Sequence, residues 1–165
     1  MSKTEDHLRD AYVGESQANR KYLASASAAD KEGYPQVAKL FRAAAEAETI
    51  HAHNHLKALK GMRSTKENLS EAITGETHEF KEMYPEMLRD ARAEGNREGE
   101  RTLHYANEVE KIHAQLYHKL LDNLGAAQET YPCYVCPVCG YTSAKEAPDT
   151  CPVCGARGET FKKID

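Results

Sequence analysis

The sequence predicts an all-α four-helix bundle followed by a small, cysteine-built metal module, and three observations predict it. Residues 5–124 are rich in Ala, Glu, Lys, Leu and Arg, with apolar residues recurring at spacings of three and four. Gly-containing breaks near Gly33, Gly61 and Gly95 to Gly99 divide that stretch into four segments. All five cysteines fall between Cys133 and Cys154, where Pro137, Gly140, Pro148, Pro152 and Gly155 rule out regular helix. The composition changes near Tyr131. We therefore expect a bundle over 1–127 and a module over 131–165, the latter too short to fold without a staple.

The first helix is expected from about Thr4 to Lys31, with Leu8, Ala11, Tyr12, Ala18, Tyr22 and Ala26 on one stripe and Glu15 among them. The second begins near Pro35, a residue suited to a first helical turn. Its inner face reads Val37, Phe41, Ala44, Glu48, His51, His55 and Leu59. A third helix from about Lys66 to Glu94 puts Leu69, Ile73, Glu76, Glu79, Met83 and Met87 on one side, with a bend expected at Pro85. The fourth carries Leu103, Ala106, Glu110, His113, Tyr117, Leu120 and Leu124. Each half thus pairs a helix bearing glutamate with one bearing Glu-x-x-His. Gly125 to Thr130 reads as a limited linker.

A net charge of -4 with mixed signs offers no basic stripe for nucleic acid, and no apolar run approaches the roughly 20 residues of a membrane span. Met1 to Asp10 is polar and has no apolar core of a targeting signal, so the expected compartment is the cytoplasm. In a reducing compartment, clustered cysteines are expected to be metal ligands and not disulfides.

Carboxylates on the buried face of a helix cost several kcal/mol each unless something neutralises them. Glu15, Glu48, Glu76, Glu79 and Glu110 bring five negative charges, against four positive charges from two ferrous ions or six from two ferric ions. The i, i+3 spacing in Glu48/His51 and Glu110/His113 puts carboxylate and imidazole on one face within a turn. One Glu from each of two helices plus Glu-x-x-His from each of the other two is the ligand rule of ferritin-like di-iron bundles. His53, His55, His78, His104 and His118 are expected to be solvent-facing or satisfied locally.

Over nearly its whole length the chain resembles the rubrerythrins. The resemblance is carried by Ala11-Tyr12-Val13-Gly14-Glu15-Ser16-Gln17-Ala18, Glu48-Thr49-Ile50-His51-Ala52, Gly75-Glu76-Thr77-His78-Glu79 with Met83-Tyr84-Pro85, and Glu110-Lys111-Ile112-His113-Ala114. It implies Glu15, Glu48, Glu76 and Glu110 as shared iron ligands, His51 and His113 as the imidazoles, and Glu79 as the family's extra carboxylate. It further implies that one iron exchanges between His51 and Glu79 as oxidation state changes. Tyr22 and Tyr84 resemble the family's tyrosines whose hydroxyls hydrogen-bond ligand carboxylates, although core aromatics would read the same.

Cys136-Pro137-Val138-Cys139-Gly140-Tyr141 and Cys151-Pro152-Val153-Cys154-Gly155 are matching knuckles, each supplying half a tetrahedral thiolate site. The cysteines alone suit structural zinc as well as iron. Tyr134, Tyr141, Ala147-Pro148-Asp149 and Phe161 make the surroundings resemble rubredoxin, which implies an Fe(Cys)4 centre. Cys133 stands outside the Pro-Val-Cys-Gly frame and is expected to be a free thiol, with a competing Cys133/Cys136 pair as the other reading.

The resemblance implies a non-haem di-iron peroxidase that reduces hydrogen peroxide to water, in oxidative-stress defence. Electrons would come through the Fe(Cys)4 centre from NAD(P)H by way of a separate rubredoxin-type carrier and reductase, since the chain has no nucleotide-binding Gly motif. Oxygen as the oxidant, an iron-sequestering ferroxidase and a redox-inert zinc adaptor stay open as alternatives. A short linker is expected to hold the module near one end of the bundle, making transfer within a chain difficult and a head-to-tail homodimer favourable. A ferritin-like crossover from the second helix to the third conflicts with Gly61 to Thr65, which spans at most about 18 Å against roughly 38 Å for a 25-residue helix, so exchange of helix pairs between chains is expected, with a simple up-down bundle in one chain as the other reading.

Overall fold

The computed structural model describes residues 2–126 and 129–165; Ala127 and Gln128 of the expected linker lie outside the described residues. Helices α1 (Lys3–Lys31) and α2 (Pro35–Ala58) form one compact unit, which ends at Arg63. From Ser64 a second unit holds α3 (Thr65–His78), a π-helical turn (Glu79–Met83), α4 (Tyr84–Ala93), α5 (Arg97–Asp122) and a three-stranded module. The segments fall where the glycine breaks predict them. No helix among the described residues is long and apolar enough to cross a membrane.

Both α1 and α3 start with reciprocal caps. Ser2 and Ser64 each accept from the backbone of the glutamate three residues on, and Glu5 and Glu67 bond back to the cap N–H at 3.0 and 3.1 Å. Pro35 opens α2 as expected. Between α1 and α2, Gly33 turns the chain at φ 82°, a conformation that glycine adopts without penalty.

The α1–α2 seam is built from alanines. Ala26 and Ala29 of α1 are buried, as are Ala38, Ala45 and Ala52 of α2, spaced seven apart. Side chains this small let two backbones approach closely, and Asn19 Nδ2 uses that proximity to donate to Ala45 O at 2.7 Å and to Thr49 Oγ1 at 2.9 Å. The inward placement of Val37 is thereby corrected. It is 47% exposed, because the closest approach runs along the alanine row one position further on.

In the second unit, α3, the π turn and α4 form one continuous helical segment packed against α5. Pro85 does not break it. Its ring would clash with the carbonyl four residues back in a regular helix, and the widened turn lies immediately before it, with Tyr84 N–H bonded to Glu79 O five residues back. One extra residue in a turn rotates everything beyond it by one position. The predicted inward placement of Met87 is corrected accordingly: Met83 is half-buried, Met87 is exposed, and Leu88 and Ala91 are buried. On α5 the deepest positions are Asn107, Val109 and Ala114, and Leu120, expected to face inward, is exposed near the helix end.

The module is an antiparallel sheet, ordered β2 (Thr142–Ala144), β1 (Cys133–Val135), β3 (Lys162–Ile164). Tyr141 and Phe161 meet edge to face at 6.3 Å. This core is minimal, so the module depends on what its cysteines hold.

Replacing Ala45 by Leu should overpack the α1–α2 seam and destabilise the protein by about 1–3 kcal/mol, whereas exposed Glu46→Ala should leave stability nearly unchanged. Chemical denaturation of both variants checks this; equal effects would show that the seam is not tightly packed.

Candidate metal centres

Cys136, Cys139, Cys151 and Cys154 present sulfurs within 4.8 Å of one another. Cys136 and Cys154 lie 3.6 Å apart, and Cys139 and Cys151 3.5 Å apart. A tetrahedron of ~2.3 Å metal–sulfur bonds has edges of ~3.8 Å, so the cage fits a four-thiolate metal and is far too open for disulfides. The two knuckles are built alike: Gly140 N–H donates to Cys136 O, Gly155 N–H to Cys151 O, each glycine at positive φ (83° and 76°). Burial opposes ionisation of Cys136, but the backbone N–H groups of Cys139 and Val138 outweigh it and bring the thiol down to about 7. Burial holds the Cys139 and Cys154 thiols above the ordinary range. One thiolate is thus prepared in advance, and Cys139 and Cys154 ionise against a cation. Cys133 sits on β1, outside this cage, and is free.

Each helical unit also carries a carboxylate–imidazole cluster. In the first, Glu15 of α1 meets Glu48 and His51 of α2, with ligand atoms within 4.8 Å. His51 Nδ1 lies 2.8 Å from Glu48 Oε2. In the second, Glu76 of α3 meets Glu110 and His113 of α5 at the same spacing, with His113 Nδ1 2.8 Å from Glu110 Oε2 and 3.7 Å from Glu76 Oε2. The two clusters have identical donor sets. In both, Nδ1 is the nitrogen turned toward the carboxylates.

Like charges at close range make the second cluster costly without a cation. Burial and the hydrogen bond to Glu110 raise the Glu76 carboxyl to about 7, and burial raises Glu110 as well. Glu79, at the head of the π turn, lies outside the tight cluster but within its field: burial and then the Glu76 charge push it up. Tyr84 is shifted upward by burial and by Glu79, Glu110 and Glu76, so its hydroxyl stays protonated beside them. Tyr117 responds in the same way to burial, Glu76 and Glu110. Its proximity to the carboxylates was not anticipated, although its place seven residues after Glu110 on the same stripe was the available signal. Tyr22 sets its ring against Phe41, tilted by 39° with centroids 5.9 Å apart.

The module does not stand off the end of the helix, which corrects that expectation. Strand β2 packs on α5, and Thr142 Oγ1 lies 3.0 Å from His113 Nε2. A Cβ at Gly140 would sit 4.0 Å from Val109 Cγ1, one helical turn before His113. Geometry permits the return. Asp122 to Cys133 can reach roughly 35 Å when extended, while His113 lies only ~14 Å back along the helix.

Comparison with known proteins matches both parts of the chain. The family model described as rubrerythrin matches residues 6–121, and the one described as rubrerythrin, rubredoxin-like domain, matches residues 134–162. The chain belongs to the rubrerythrin family. It is 41% identical to rubrerythrin-2 of Clostridium acetobutylicum, over 96% of this chain and 95% of that protein. It is 32% identical to nigerythrin of Nitratidesulfovibrio vulgaris, over 98% of this chain and 86% of that protein. The solved mixed-valent state of nigerythrin has a TM-score of 0.59 to it, at 32% identity, and covers 99% of this chain and 88% of that one. Membership makes the chain an iron-centre oxidoreductase, with a rubredoxin-like four-cysteine site and carboxylate–imidazole clusters as the candidate di-iron ligands.

The raised Glu76 carboxyl has a consequence for the metal-free protein. Folded protein binds more protons than unfolded between the ordinary carboxylate value of 4.5 and about 7, so this group's contribution to stability falls as pH rises through that window. Glu76→Gln should therefore raise the melting temperature of metal-free protein at pH 8 more than at pH 4.5. An equal shift at both pH values would contradict the assignment.

Proposed function

We propose that the chain is a non-haem di-iron peroxidase reducing hydrogen peroxide to two waters, with electrons relayed through an Fe(Cys)4 site. Each turnover consumes two electrons and two protons. Glu15, Glu48, His51, Glu76, Glu79, Glu110 and His113 would hold the two irons, and Cys136, Cys139, Cys151 and Cys154 the third. The bound di-iron group supplies two-electron reduction of an O–O bond, chemistry that no side chain offers.

The observation that carries the proposal is the seating of the thiolate knuckle on the helix that bears Glu110 and His113. An iron store or a zinc adaptor has no use for a redox-capable site touching a ligand of the other centre. Family membership supports the same reading. Glu79 is the residue that separates turnover from storage: an additional carboxylate lets the site follow an increase in ferric charge without releasing metal. Its place at the wide turn, where the backbone departs from regular helix, suits a ligand that must move. Tyr84 and Tyr117 lie in the field of these carboxylates and stay protonated there, so each keeps a hydroxyl proton beside the ligand set.

The electron donor is an external one-electron carrier protein, and a homodimer in the cytoplasm remains part of this reading. Oxygen is the competing oxidant. Stopped-flow oxidation of fully reduced, iron-loaded protein should restore the ferric tetrathiolate absorbance much faster with peroxide than with oxygen, and Glu79→Ala should slow the peroxide phase at least tenfold. Reoxidation no faster with peroxide than with oxygen would favour an oxidase or ferroxidase instead.

A further inference from the structure

We infer that Thr142 is a positioning residue that ties the four-cysteine site to the His113 cluster of the same chain and supplies the bonded route for electrons between them. The inference rests on the iron reading above, and adds to it a residue outside the ligand sets. Thr142 is the first residue of β2, and its hydroxyl has two neighbours, Gly140 O at 3.1 Å and His113 Nε2 at 3.0 Å.

A threonine hydroxyl has a single proton. Because Thr142 donates it to Gly140 O, the contact with His113 is made by Nε2–H donating to Oγ1. That bond holds the proton on Nε2 and leaves Nδ1, the nitrogen facing Glu76 and Glu110, to bind a cation. One hydroxyl thus selects which imidazole nitrogen is available as a ligand. Gly140 directly follows Cys139, so the chain of bonds runs from the Cys139 sulfur through the peptide to Gly140 O, across to Thr142 Oγ1, and on to the His113 ring.

The docking that makes this contact has two points on one face of α5. Gly140 lies over Val109 and Thr142 over His113, residues four apart and therefore neighbours on the helix surface. Val109 is buried to 3% exposure and His113 is partly buried, so the contact is packed as well as hydrogen-bonded. Ser or Thr at position 142 can make the bridge; an aliphatic residue of the same shape cannot.

The redox step is a single-electron transfer. With iron in both places, one electron would pass from a ferrous site held by Cys136, Cys139, Cys151 and Cys154 to a ferric site held by Glu76, Glu110 and His113, leaving the first ferric and the second ferrous while Thr142 and His113 keep both bridge protons. An external one-electron carrier then re-reduces the tetrathiolate site.

Thr142→Val and Thr142→Ser test the inference in the full-length protein with two readouts. In zinc-substituted protein, NMR should show the His113 Nε2 proton as a slowly exchanging, hydrogen-bonded resonance in wild type and Thr142→Ser, and should lose it in Thr142→Val. In iron-loaded protein, photoreduction of the tetrathiolate site followed by its reoxidation should be at least tenfold slower in Thr142→Val and restored in Thr142→Ser, with an unchanged tetrathiolate spectrum. Persistence of the protected proton in Thr142→Val would overturn the hydrogen-bond assignment. Loss of that proton with wild-type transfer rates would overturn the electron route. Should wild-type protein bind no iron at the His113 cluster, the iron reading fails while the zinc-state NMR still tests the bond.

Discussion

Two carboxylates, Glu76 and Glu110, are held against each other where α3 meets α5, half-buried, so that burial opposes the ionisation of both in the absence of a cation. This constraint accounts for the positions around it. Glu76 keeps a proton to about pH 7 in the absence of metal, and Tyr84 and Tyr117 stay protonated beside it. His113 turns Nδ1 toward the same pair. A divalent cation would relieve the repulsion and displace the proton, so metal binding and the folded state of this unit are coupled.

Helix geometry shows how the chain brings such a cluster together. Glu-x-x-His uses a single turn of α5 to present two donors, and α3 delivers Glu76 opposite. Further along, the π turn at Glu79–Met83 reconciles Pro85 with an unbroken helix and re-aims all that follows. The residue at its start is Glu79, so the irregularity lies where a third carboxylate joins the field of the other two. The repeated set Glu15, Glu48 and His51 in the first unit meets the same chemical requirement with the same spacing. The knuckles place four sulfurs at the separations of a metal tetrahedron, and the first rests on the helix that carries His113.

Much of this was legible in the sequence because the signals are local. Helix limits followed from glycine breaks and Pro35, and the Glu-x-x-His and Cys-Pro-Val-Cys spacings are set within one turn or one loop; the caps at Ser2 and Ser64 were not read. Positions depending on nonlocal packing were less legible. Val37 looked internal by periodicity, yet the alanine row governs the approach of α1 and α2. Met87 looked internal until the π turn shifted the register to Leu88. Tyr117 and Thr142 bear no motif, and their significance arises from what lies across from them. The length of the link after α5 suggested a module held at the helix end, whereas a chain of that length can fold back to His113.

The most direct test of the central claim is Mössbauer spectroscopy of the full-length protein reconstituted anaerobically with isotopically enriched iron. Twice as much iron should be found in oxygen and nitrogen coordination as in tetrathiolate coordination, with the former lost selectively in a Glu76→Ala, Glu110→Ala double variant. Iron confined to the tetrathiolate site, with none held by the carboxylates, would contradict it.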